Sequence, residues 1–223
     1  HDILLPSGDQ LASFNTDASL NNATLALSLQ ANDYRIDTQT VLRSLQLTLH
    51  GNMAQHELNA TAQLKNNQQI LLHARGGLSV AAQLGDTQWH GSLTELSGTG
   101  ALPFNLNSAT SVTLSKEYIA LAAAELSVAG GKISLKRNEW TPHHWRSRGS
   151  FTGIGLRFAQ LAQTKRIASE AQEALRLGGT WDISSAAQLT GDLHLFRESG
   201  DLRLSGAPPF ALGLEKLQLT ARA

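Results

Sequence analysis

The chain has 223 residues, with 18 basic side chains balanced by 18 acidic ones and no cysteine. A neutral chain carries no electrostatic footprint for nucleic acid and no polybasic cluster for anionic lipid heads. Without cysteine it has no disulfide, thiolate metal site or catalytic thiol, and no run of about 18 apolar residues is present to cross a bilayer as a helix.

The opening His1-Asp2-Ile3-Leu4-Leu5-Pro6 has no basic region followed by an apolar core and is not a signal peptide. Alternation of apolar and polar residues, the period of a half-buried strand, starts at Leu25, Leu27 and Leu29. It recurs at Leu45, Leu47 and Leu49, then at Leu58, Ala60, Ala62 and Leu64, at Val112 and Leu114, and at Ile133 and Leu135. Turn signals stand between the runs: Asn21-Asn22, Asn32-Asp33, Gly51-Asn52, Asn66-Asn67, Gly76-Gly77 and Gly130-Gly131. Links this short make antiparallel neighbours, so a meandering sheet is predicted.

The pattern changes between about Leu156 and Leu177. Alanine, glutamine and glutamate favour helix there, and Phe158, Leu161, Ala168, Ala171 and Leu175 approximate one apolar stripe. Gly178-Gly179 follow as a C-cap would, so a short α-helical insertion over 156–177 is predicted. Strands resume with Leu193 and Leu195, Leu202 and Leu204, and Leu217 and Leu219, punctuated by Ser199-Gly200 and Pro208-Pro209. The last residues read as mid-strand. The expectation is a single segment, 1–223, internal to a longer chain.

Candidate chemistry is sparse. His143-His144 are adjacent, so a strand would send them to opposite faces, and no third ligand stands at metal-site spacing. Gly153-Ile154-Gly155 lacks the third glycine of a dinucleotide loop, and Glu198 and Asp201 flank Gly200 as turn-solvating acids. No nucleophile elbow or phosphate loop is present. Neither an enzyme nor a cofactor nor a metal is expected. Trp89, Trp140, Trp145 and Trp181 read as anchors of a sheet face or rim rather than a stacking site.

What remains is leucine: 38 copies, against 5% aromatic and 16% charged residues. One reading is a plain core between two sheets. The other is a smooth surface for flexible chains, since sandwich cores mix in more aromatic and β-branched bulk.

Certain segments recur in a telling order. Leu45-Gln46-Leu47-Thr48-Leu49-His50-Gly51 is followed by Ala54-Gln55-His56-Glu57-Leu58, then Trp89-His90-Gly91-Ser92-Leu93-Thr94-Glu95-Leu96. Trp140, Trp145 and a glycine-rich entry from Phe151 to Leu161 come next. Leu195-Phe196-Arg197-Glu198-Ser199-Gly200-Asp201-Leu202-Arg203-Leu204 and Leu212-Gly213-Leu214 complete the set. From about residue 45 onward this order resembles the middle of TamB-family chains, the large periplasmic subunits of the translocation and assembly module, related to AsmA-like bridge-like lipid-transfer proteins. The resemblance implies a long, curled sheet with a hydrophobic groove, an inner-membrane anchor and an outer-membrane barrel partner, TamA. It also implies roles in phospholipid movement between the membranes and in outer-membrane protein assembly. The anchor and the TamA-binding end are expected to lie outside this segment.

The expected fold is therefore mainly β: a curled, elongated antiparallel sheet, an open groove of the β-taco kind, with one helical insertion. Leu25, Leu27, Leu29, Leu45, Leu47, Leu49, Leu58, Leu64, Leu114, Ile133, Leu135, Leu193, Leu195, Leu202, Leu204, Leu217 and Leu219 are expected to line it and shield phospholipid acyl chains in the periplasm. The alternative is a scaffold that pairs client outer-membrane strands along a sheet edge.

Overall fold

The computed structural model describes residues 3–4, 10–36, 39–65, 67–80, 87–155, 175–201, 203–204, 210–211 and 213–222. Among them the chain is β throughout, with antiparallel pairing and no helix. It divides into two compact units, His1–Ile119 and Ala120–Ala223.

The first unit is a meander in which sequence neighbours are also sheet neighbours. Its strands are β1 (Ile3–Leu4), β2 (Gln10–Asn21), β3 (Thr24–Ile36), β4 (Gln39–Asn52), β5 (His56–Leu64), β6 (Gln69–Val80) and β7 (Thr87–Thr99). β7 then pairs with both β8 (Phe104–Leu106) and β9 (Thr110–Leu114). β10 (Ile119–Leu121) lies at the division.

The turns follow from their residues. Asn22 and Ala23 link β2 to β3 with φ of 46° and 65°, the doubly left-handed arrangement that matches strand twist. Asn52 ends β4, and its Oδ1 accepts the N–H groups of Ala54 and Gln55 at 2.9 and 2.8 Å.

The second unit runs β11 (Ala124–Val128), β12 (Gly131–Thr141), β13 (His144–Gly155), β14 (Arg176–Ser185) and β15 (Leu189–Ser199), with β18 (Gln218–Arg222) added beside β15. A separate two-stranded ladder pairs β16 (Arg203–Leu204) with β17 (Phe210–Ala211). Ala129 and Gly130, at φ 50° and 83°, close the β11–β12 turn.

Three local expectations are corrected. The helix over 156–177 is not borne out: residues 156–174 lie outside those described, and Arg176 and Leu177 open β14. Gly178-Gly179 sit inside that strand, where a Cβ at Gly178 would meet the ring of Phe196 and one at Gly179 the ring of Phe151. Gly76-Gly77 are likewise inside β6 and form no turn. Asn32-Asp33 stay within β3, with Asp33 absorbing a left-handed φ of 51° while the strand runs on to Ile36. At both glycine pairs and at Asp33, cross-strand packing outweighs local propensity.

Candidate functional site

Strand register builds the site. Because side chains alternate across a strand, each ladder of paired residues belongs to one face. In the first unit Leu29 faces Leu47, which faces Ala60, then Leu72, then Leu96. The next ladder runs Leu27, Leu49, Leu58, Ala74 and Leu93, and the one beyond it Ala31, Leu45, Ala62 and Ile70. The intervening ladder, on the opposite face, reads Ser28, Thr48, Asn59, His73 and Glu95. One face thus carries three apolar ladders side by side, while the other is mainly polar, with Ala26 and Leu71 as its apolar members in the flanking ladders.

The second unit repeats this division. Ala124, Leu135, Gly149, Trp181, Leu193 and Ala221 form one apolar ladder; Leu126, Ile133, Phe151, Gly179, Leu195 and Leu219 form the next. Its opposite face carries the charges. Arg146 donates to both carboxylate oxygens of Asp182 at 3.1 Å, and Arg222 reaches Asp192 at 2.9 Å.

Neither apolar face is sealed. Fifteen of the predicted lining positions have described side chains (Leu25, Leu27, Leu29, Leu45, Leu47, Leu49, Leu58, Leu64, Leu114, Ile133, Leu135, Leu193, Leu195, Leu217 and Leu219), and none is buried. Leu114 is 39% and Leu219 52% exposed. The apolar residues that are buried are Ala31, Ala74, Leu106, Ala124, Leu175 and Leu177, and no large side chain is fully buried among the described residues. Leu202 lies outside those residues. The backbone of Leu204 pairs with Phe210 in the small separate ladder, and Leu217 precedes β18, its carbonyl accepting the Arg197 N–H at 2.9 Å.

Aromatic plates, which the leucine pattern did not announce, complete each face. The indole of Trp89 lies flat over Gly76 and Gly91, where any Cβ would collide with the ring. Its Nε1–H donates to His56 Nε2 at 2.7 Å, and His56 Nδ1 donates to the Asn52 carbonyl at 3.0 Å. The two bonds assign the Nδ1–H tautomer and leave the imidazole, 6% exposed, with both nitrogens satisfied.

In the second unit Trp181 covers Gly149 and Phe151 covers Gly179. Trp181 Nε1–H donates to Ser147 Oγ at 2.9 Å, and Ser147 Oγ–H to Asn138 Oδ1 at 2.8 Å. Both indole N–H groups are thus consumed within the protein, so the plates present hydrocarbon and leave no donor unsatisfied. The glycines that these rings cover are identified only once the strand register is known.

Among the described residues no three His, Asp or Glu side chains cluster in a way that could hold a metal, and His143 and His144 sit at an exposed turn. What the site offers chemically is a broad hydrocarbon surface. No family model, curated protein or solved structure matches this chain.

Proposed function

We propose that this chain is the acyl-chain-shielding segment of a TamB-like periplasmic protein, which supports phospholipid transport between inner and outer membranes. The observation that carries the reading is the register: it gathers leucines from five consecutive strands onto one face, and none of those leucines is fully buried. Exposing a methylene to water costs about 0.8 kcal/mol, so two chains of roughly 16 carbons would cost on the order of 25 kcal/mol. A continuous apolar face removes most of that penalty. The indole donors of its two plates, Trp89 and Trp181, are already paired within the protein and do not pin a chain in place. On this reading the sheet curls so that its apolar face forms a groove. The membrane anchor and the contact with a TamA-like barrel belong to other parts of the parent protein.

The test is a photocrosslinking amino acid placed at Leu27, Leu47 or Leu72 and at the opposite-face neighbours Ser28, Thr48 or His73 of the full-length parent. Lipid adducts, detected by mass spectrometry, are expected at the first set alone. Adducts at both sets alike, or at neither, reject the reading.

A second reading, an assembly scaffold that takes up client strands, is favoured by one observation. Among the described residues β18 pairs on one side only, and every residue in it is exposed, which leaves backbone groups available for strand addition. It predicts crosslinks to protein from β18 and none to lipid from the leucine ladders.

A further inference from the structure

At one end of the second unit the apolar face stops in a row of different chemistry. Trp140 faces Trp145 across the β12–β13 hairpin, Trp145 faces Ser185, and Ser185 faces Leu189. Alternation puts this row on the same side as Leu135, Trp181 and Leu193. Trp140 is 43% and Leu189 53% exposed, large apolar side chains that an isolated soluble domain gains nothing by presenting. Between the two hairpin turns lies an open notch of about 430 Å³, bordered by Trp140, Trp145, the exposed residues His143 and His144, and the small residues Ser185 and Ala186. The lining contains no carboxylate, lysine or arginine. Its volume falls in the range of small-molecule sites.

We propose that this notch is a headgroup station: it holds the phosphodiester end of a phospholipid whose acyl chains lie along the adjoining ladders. The inference rests on the acyl-chain reading above and adds where the polar end of the cargo sits. Two features support it. Indole rings settle where an apolar phase meets water, with the ring against hydrocarbon and the N–H toward polar groups. Trp140 and Trp145 stand at such a border: beyond them the mixed row Asn138, Ser147, Ile183 and Gly191 leads to the apolar ladders of Leu135 and Ile133, and the turn before them is exposed. Alternation sends the His144 side chain to the face opposite Trp145, so His143, in the turn itself, is the residue that supplies an imidazole N–H donor for phosphate oxygens, and no carboxylate lines the notch. Thr141 Oγ1 accepts the His144 N–H at 3.0 Å and donates to the His144 carbonyl at 3.0 Å, which closes the two-residue turn that carries His143.

The four tryptophans divide into a rim pair (Trp140, Trp145) and a plate pair (Trp89, Trp181), which makes the proposal directly readable. The protein is loaded with phosphatidylcholine bearing a nitroxide on the choline, or separately at mid-chain, and tryptophan quenching is measured in W89F/W181F and in W140F/W145F. The headgroup nitroxide is expected to quench the rim pair about twofold or more beyond the plate pair, and the mid-chain nitroxide to reverse the order. If W89F/W181F does not fold, the same difference is read as loss of headgroup quenching from wild type to W140F/W145F. Mid-chain quenching of the plates with no headgroup quenching of the rim overturns the station and leaves the acyl-chain reading standing. No quenching of either pair by either probe overturns both. Displacement by tail-less glycerophosphocholine at equal concentration would make the notch a site for free phosphodiesters and overturn the proposal.

Discussion

Neighbouring residues on opposite faces give the sharpest separation of roles. Leu47 lies between Leu29 and Ala60 on the apolar face, whereas Thr48 lies between Ser28 and Asn59 on the polar one. Full burial of a leucine is worth about 1.5–3 kcal/mol; Leu47 is half-buried, so Leu47→Asp forfeits about 1 kcal/mol of it. The unsealed face lets water reach the new carboxylate, which keeps the total loss at about 1–2 kcal/mol, or roughly 2–8 °C in Tm for a chain of this size. Bound lipid suffers more. A hydrated carboxylate displaces about four methylenes from the surface, costing about 3 kcal/mol, a loss of affinity on the order of 100-fold. Thr48→Asp adds charge beside Gln46 and His50 and is expected within about 0.5 kcal/mol of wild type, with lipid binding unchanged. The assay pairs lipid content per mole of purified protein with the urea unfolding midpoint of the same preparation. Equal lipid loss in both variants, or lipid loss that merely tracks unfolding in Leu47→Asp, refutes a continuous apolar path.

Three further outcomes are expected. Gly91→Val places its branched side chain in the ring of Trp89 and against the Arg75 carbonyl, so the plate must lift; calorimetry should show a loss of about 2 kcal/mol or more, while Gly130→Val, with nothing near it, is limited to its φ penalty of about 1–2 kcal/mol. Trp89→Phe leaves His56 Nε2 buried and without a donor, costing about 1–3 kcal/mol, and His56→Leu in the same background should restore part of that loss in a double-mutant cycle. Asp182→Asn weakens pairs whose side chains are 37–53% exposed, so its cost should stay below about 1 kcal/mol and shrink further in high salt.

Strands such as β3, β4, β5, β12 and β15 were legible in the sequence because period-two alternation is enforced by backbone geometry alone, and leucine runs such as Leu45-Leu47-Leu49 carry it without ambiguity, whereas β2, β6 and β7 show no such run. The fate of the glycine pairs was not. Gly76-Gly77 and Gly178-Gly179 read as breaks when judged locally, since their reason lies on other strands: Trp89, Ala54, Phe151 and Phe196 occupy the space their side chains would need. His56 was unremarkable for the same cause. Its partner is 33 positions away, and no local pattern announces a bond of that span. The leucine lining was anticipated as uniformly smooth, whereas the aromatic rings lying flat over glycines supply part of that smoothness.

The sequential pairing of β2 through β7 also bears on how such a chain folds and how its length can change. Each strand leans only on the one before and the one after, so cooperativity is a nearest-neighbour property and loop closure stays short at every step. Removing one hairpin, for example β5 with β6, would bring β4 against β7. Two strands leave together, so direction is conserved and the apolar side of each remaining strand keeps its orientation. Duplication of a hairpin would lengthen the surface by two strands, roughly 9–10 Å at the usual interstrand spacing, with no other residue required to change.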